Sequence, residues 1–255
     1  MLGALVTAIR TLTVFSVSGK ETGTFSNALF WFPCIGFFLG LLEAAFGYSA
    51  HFFDWNELSA AIVVLGGIAV TRGLHVDGLA DMADGFWGGR TKEARLRIMK
   101  DPNAGSFGAV ALSGILLLKW IAVVKLVESG SFEVIVAGVL LARWVQVLLA
   151  SLLPYARSEG GTASSFVKGA GRIHIVVTSI MTLFFLLLLF HTGYYPLAAI
   201  IPAALVSGVA IGALSYKKIG GVTGDVLGAG SEVTETVVWI VGALFSGSSY
   251  MVFST

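Results

Sequence analysis

Ile173-His174-Ile175-Val176-Val177-Thr178-Ser179-Ile180-Met181-Thr182-Leu183-Phe184-Phe185-Leu186-Leu187-Leu188-Leu189-Phe190 contains no Asp, Glu, Lys or Arg. A helix needs about 20 predominantly apolar residues to cross the hydrocarbon of a bilayer. The stretch reads as a membrane span, and it has company. Asn27–Tyr48, Leu58–Leu74, Gly108–Val127, Val134–Leu153, Pro196–Leu214 and Thr236–Phe253 have the same character. Backbone polar groups in lipid must be satisfied within the segment itself, which leaves helices. The fold expected is an all-α polytopic membrane bundle of about seven transmembrane helices, one membrane domain over 1–255.

Composition agrees. The 255 residues are 56% hydrophobic and only 12% charged, whereas a soluble domain is about 25% charged. A net charge of +1 argues against nucleic acid as a partner and for the lipid bilayer. The lone Cys34 excludes an intramolecular disulfide. Met1 to Val17 is broken by Arg10 and several threonines and lacks a cleavage site after a clean apolar core. Residues 1–26 therefore read as an interfacial segment, not a removable signal peptide.

The chain has sixteen Lys and Arg residues, and thirteen of them, all but Lys119, Lys125 and Arg143, lie outside the spans or, in the case of Arg72, within a few residues of a span's end. All thirteen fall in or beside 1–26, 75–107, 154–172 and 215–235, and none in the connections near 49–57, 128–133 and 191–195. By the positive-inside rule the N-terminus and the three long loops are cytoplasmic, in a multi-pass cytoplasmic (inner) membrane protein.

Two acidic stretches lie on that cytoplasmic side. The first is Asp77-Gly78-Leu79-Ala80-Asp81-Met82-Ala83-Asp84-Gly85. On a helix Asp77, Asp81 and Asp84 fall within about 60° of arc and form one stripe. The second, within 215–235, runs Gly220-Gly221-Val222-Thr223-Gly224-Asp225-Val226-Leu227-Gly228 and continues to Glu232 and Glu235. Its three acids span about 80° of a helix. Carboxylates at a membrane boundary need a positive partner, and Mg²⁺ is the candidate. It takes oxygen ligands and commonly bridges to a substrate phosphate. The plainer reading, acids that cap helices or pair with Arg90, Arg95 and Arg97, explains one acid more easily than six.

His75 precedes the first stripe and reads as a general base, a phosphate donor or simply an interfacial histidine; His51 and His191 have no acids nearby. Thr91 to Lys100 reads as a short basic amphipathic helix, ended by turn chemistry in Asp101-Pro102-Asn103-Ala104-Gly105. Beside a carboxylate site it suits a polyphosphate; touching anionic lipid is its other reading. Arg157 is a second phosphate contact on the same side.

Gly73-Leu74-His75-Val76-Asp77-Gly78-Leu79-Ala80-Asp81, then Asp84-Gly85, resembles the signature of the cobalamin (5′-phosphate) synthase family. Matching segments follow in order: Ile98-Met99-Lys100-Asp101, Tyr155-Ala156-Arg157, and Gly220-Gly221 through Thr223-Gly224-Asp225 to Glu232 and Glu235. The opening Phe32-Pro33 with Gly36 fits too. One departure is Leu12-Thr13-Val14-Phe15-Ser16, where the family usually carries a Leu-Thr-Arg-Leu-Pro-type segment. Arg10 is accordingly left out of the site.

The resemblance implies an adenosylcobinamide-GDP ribazoletransferase that makes the nucleotide loop of vitamin B12. It would move cobinamide phosphate from adenosylcobinamide-GDP to α-ribazole or α-ribazole 5′-phosphate, release GMP and require Mg²⁺. On that reading Asp77, Asp81, Asp84, Asp225 and His75 are catalytic. Arg97, Lys100, Asp101, Arg157, Thr223 and Gly224 bind substrate. Asp77, Asp81, Asp84, Asp225, Glu232 and Glu235 hold metal. The resemblance leaves room for a homo-oligomer or a complex with other late B12-pathway enzymes. The alternatives are a CDP-alcohol phosphotransferase-like enzyme, a membrane prenyltransferase, or a transporter using Glu43, Lys119, Lys125 and Arg143 as an ion path.

Overall fold

The computed structural model describes residues 1–49, 52, 54–191, 193 and 196–246. His51 and the last residues of the expected Thr236–Phe253 span lie outside the described residues. Every element among those described is helical. In chain order they are α1 (Leu2–Leu12), a 3₁₀ helix (Phe25–Trp31), α2 (Phe32–Ser49), α3 (Asn56–Val70), α4 (Leu74–Gly88), α5 (Lys92–Ile98) and α6 (Ser106–Glu128). Then come α7 (Phe132–Leu152), α8 (Ser164–Lys168), α9 (Arg172–Leu189), α10 (Leu197–Ile219) and α11 (Gly224–Ser246). Among the described residues six helices are long and apolar enough to cross a membrane, and a seventh span exists if α3 and α4 count as one bent span. The chain is a multi-pass membrane protein.

α7 is the central post. Most of its side chains are buried, and α2, α9, α10 and α11 pack around it. Close approach comes from small residues. A Cβ on Gly40 would sit 2.8 Å from the backbone of Val136, and one on Gly36 would sit 3.1 Å from the Val139 carbonyl. The Gly36-x-x-x-Gly40 spacing thus lets two backbones touch, as small-residue pairs do in membranes. α9 instead turns Ile173, Val176, Ile180, Phe184 and Leu188 outward, the surface that lipid would cover.

Two expected boundaries differ. The Leu58–Leu74 span is broken: α3 and α4 meet at 86°. Thr71, Arg72 and Gly73 make the corner, with Gly73 N–H bonded to the Ile68 carbonyl at 2.8 Å and Arg72 N–H to Ala69 at 3.1 Å. This is a Schellman helix end, but its left-handed position is filled by Arg72 at φ 54, where glycine is usual. The second difference is at the last span. Glu232 and Glu235 do not precede it in a loop; α11 starts at Gly224 and carries both inside. They can lie there because Lys119 neutralises them.

The expected basic helix is α5, whose N-cap Thr91 accepts the Ala94 N–H at 3.2 Å. The segments expected on one side are tied together at one end of the bundle. Arg72 donates to the Arg10 carbonyl at 3.0 Å, and Lys100 pairs with Glu159 at 2.7 Å. Arg95 donates to the Lys218 carbonyl at 2.9 Å, and Tyr155 bridges to Val222.

Candidate active site

After the 86° corner, α4 packs on α11 and α6. One of its faces packs on α11 and the other carries the carboxylates. The helices touch at Gly78, where a Cβ would lie 2.9 Å from the Asp225 carbonyl. Any larger side chain would part the two acidic motifs.

The three acids of the α4 stripe do different things. Asp77 and Asp81 line an open pocket of about 580 Å³ together with Arg72, Pro102 and Ala104. Asp84 is buried and turned to α6, accepting the N–H groups of Gly105 at 2.7 Å and Gly108 at 2.9 Å. A carboxylate at a helix N-terminus meets unpaired N–H groups and the positive end of the dipole, so Asp84 holds α6 against the site. Asp225, in the first turn of α11, takes Arg157 at 3.0 Å and the Thr223 hydroxyl at 3.1 Å. Thr223 also caps α11 through the Val226 N–H at 3.3 Å.

Crowding shows in Asp81. Partial burial, then the charges of Asp77, Asp225 and Asp84, push its carboxyl up to about 7, against the pull of Arg157. Four acids therefore share one field, and added positive charge would relieve it. Among the described residues no three Asp, Glu, His or Cys side chains converge closely enough to form a ready metal cage. Oxygen donors in an open pocket still fit Mg²⁺, which is commonly held by one or two carboxylates and completed by substrate phosphate and water.

Several predicted residues lie elsewhere. Glu232 and Glu235 are buried in the bundle and hold Lys119 Nζ at 2.5 and 2.7 Å. Glu43 and Arg143 line the same small cavity, Arg143 donates to the Ser231 hydroxyl, and Lys119 lies 5.2 Å from the Trp239 ring. The structure therefore does not bring Glu232 and Glu235 to the Asp77–Asp81 pocket. His75 also faces inward. It is 1% exposed, packs beside Gly228 of α11 and has no hydrogen-bond partner at either ring nitrogen.

Arg97, Lys100 and Arg157 line a separate cleft of about 480 Å³. Asp101 is exposed and accepts both nitrogens of Asn103, which hold its carboxyl below the usual range. It shapes the turn leading to Gly105. Gly224 starts α11, where a Cβ would meet Ala163 and Thr162 at ordinary contact distances of 3.6 and 3.7 Å. Arg72 is the pocket residue that sequence reasoning missed. It was legible only as one more cytoplasmic charge, since nothing in its spacing signals a left-handed helix end.

The family model described as cobalamin-5-phosphate synthase matches residues 4–243. A Pelodictyon phaeoclathratiforme protein named adenosylcobinamide-GDP ribazoletransferase is 68% identical over 96% of this chain and 98% of its own length. A Chlorobium chlorochromatii protein of the same name is 61% identical over 99% and 100%. One from Desulforamulus reducens is 31% identical over 97% and 98%. No solved structure matches the chain.

Proposed function

The chain belongs to the cobalamin-5-phosphate synthase family, and from that premise we propose how its carboxylates carry out the reaction. It is an enzyme, an adenosylcobinamide-GDP ribazoletransferase of cobalamin biosynthesis. The observation that carries the site assignment is the pocket in which Asp77 and Asp81 face Arg72 while Asp225 stands behind them, held by Arg157.

The donor's diphosphate enters this pocket. Asp77 and Asp81 would hold Mg²⁺ there, with Asp225 in reserve, and the ion's chemistry is to neutralise and orient the diphosphate. Arg72 sits at the rim, placed to contact phosphate oxygens. The acceptor is α-ribazole or its 5′-phosphate. A hydroxyl oxygen of the acceptor bonds to the corrinoid-side phosphorus, whose bond to the bridging oxygen breaks. GMP leaves with that oxygen, and the hydroxyl proton passes to a neighbouring carboxylate. Positioning and charge neutralisation do most of the work in such a transfer. Asp84 acts through α6, keeping the turn at Pro102 to Ala104 over the pocket.

Thirteen Lys and Arg residues gathered at this end support a cytoplasmic active site in the inner membrane. Glu232 and Glu235 are assigned to Lys119, and His75 to packing against α11.

The test uses full-length protein in liposomes, supplied with adenosylcobinamide-GDP, α-ribazole 5′-phosphate and Mg²⁺, reading GMP release. Asp81→Asn should abolish release while the protein stays folded, and chelation should stop the parent. Near-normal turnover by Asp81→Asn would overturn the assignment.

A further inference from the structure

Beside the carboxylate pocket is a second opening, the cleft of about 480 Å³ between α5 and the segment after α7. Its charged lining is Lys92, Arg97, Lys100 and Arg157 against Glu93 and Glu159. Four positive and two negative groups leave it net positive. The carboxylate pocket has Arg72 against Asp77 and Asp81 and is net negative. Two chambers of opposite sign therefore lie close together, linked through Arg157, which lines the cleft and whose charge acts on Asp81 of the carboxylate pocket. Its guanidinium binds Asp225 at 3.0 Å on one side and lines the cleft on the other.

Opposite signs sort ligands. A diphosphate that travels with a divalent cation suits the carboxylates, whereas a phosphate without a cation needs positive groups. The Arg157 side chain is only 10% exposed, and its Nε has no hydrogen-bond partner. A buried guanidinium N–H left unmade is costly. The neighbouring basic groups have structural partners: Arg95 holds the Lys218 carbonyl, Lys218 holds that of Phe86, and Lys100 pairs with Glu159 at the exposed rim. Among the described residues no such bond holds Arg97 or Lys92. The cleft is also fixed relative to the carboxylates. A Cβ on Gly85 of α4 would lie 3.0 Å from the Arg95 carbonyl oxygen, so α5 sits directly on the helix that carries Asp77 and Asp81.

We infer that the cleft of Lys92, Arg97, Lys100 and Arg157 is the seat of a phosphomonoester, the terminal phosphate of a phosphorylated acceptor. The inference rests on the transferase reading above. The acceptor then reaches past Arg157, with its phosphate in the basic cleft and its attacking hydroxyl at the carboxylate pocket. A volume of about 480 Å³ falls within the range that holds small ligands. Arg97 and Lys100 give the enzyme its preference for the phosphorylated over the free nucleoside.

The experiment compares the parent with Arg97→Ala/Lys100→Ala, both full length and in liposomes, on α-ribazole 5′-phosphate and α-ribazole. In the parent the ratio of kcat/KM values favours the phosphorylated acceptor. In the double variant that ratio should fall at least about tenfold, as expected for losing charge-assisted hydrogen bonds. Inorganic phosphate should inhibit the parent competitively with the phosphorylated acceptor and the variant more weakly. Arg97→Lys should recover part of the ratio. An unchanged ratio, or a loss confined to the KM of the donor, overturns the inference. If the parent releases no GMP with either acceptor, the transferase reading fails instead. Equilibrium dialysis with inorganic phosphate then decides the cleft: weaker binding by the double variant supports it, and equal binding overturns it.

Discussion

Asp84 and Asp81 are three residues apart on one stripe, yet one builds the site and the other works in it. Asp84 spends both oxygens on the N–H groups of Gly105 and Gly108. A methyl group on Gly108 would collide with that carboxylate and approach the Ala80 carbonyl at 3.0 Å. Gly108→Ala should therefore destabilise the protein by about 1–3 kcal/mol and lower GMP release, a loss that thermal unfolding in detergent and the transfer assay would register together. Lys119 poses a sharper case. Removing one partner of a buried ion pair costs about 3–5 kcal/mol, because the other charge stays unpaired. Lys119→Met should lose stability on that scale, and adding Glu232→Gln with Glu235→Gln should restore part of it. That Asp77, Asp81 and Asp84 share one helical stripe was legible in sequence because their spacing is local, whereas the turn of Asp84 to α6 and the entry of Arg72 into the pocket were not. Nor were Glu232 and Glu235. Their spacing matched a metal site equally well, and the counter-charge lies 113 and 116 residues away. A lysine in the middle of an apolar span was the available signal, since such a charge has to find acids.

Among the helices, hydropathy made the spans plain, and capping chemistry made α5 plain. The corner between α3 and α4 was hidden, because apolar content runs through it and the turn depends on Arg72 adopting φ 54. A non-glycine residue there costs about 1–2 kcal/mol. Arg72→Gly should relieve that strain and raise the unfolding temperature, while weakening donor binding because the pocket loses its cation. A rise in stability with an unchanged donor KM would remove Arg72 from the substrate contacts. The α2–α7 contact is less forgiving. A valine at Gly40 would meet the Val136 backbone, where the Cβ alone lies at 2.8 Å. Backbone cannot move aside as a side chain can. Gly40→Val should abolish well-folded protein, seen as aggregation on size-exclusion chromatography in detergent.

For the molecule as a whole, the charge asymmetry predicts an orientation that labelling can test. Cys34 is the only cysteine, so a Cys34→Ala background allows single probes. Lys92→Cys, on the basic end, should react with an impermeant maleimide only in inverted vesicles, and Ser129→Cys, after α6, only from the outside. The reverse pattern would turn the protein over. The ion cluster around Lys119 also bears on how the chain is made. Lys119 enters the membrane when only Glu43, on α2, is there to meet it, because its two bonded partners arrive on α11, the last of the described helices. A charge at the centre of a helix costs about 2.5–3.5 kcal/mol to insert. During synthesis α6 is therefore a poor tenant of the bilayer that becomes settled only when α11 joins it. A ribosome that stalls before Glu232 leaves a chain without the Lys119 pairing, and one that stalls before Asp225 leaves out that acid as well. Such a fragment has an unanswered charge in its core and is ready for removal by membrane proteases.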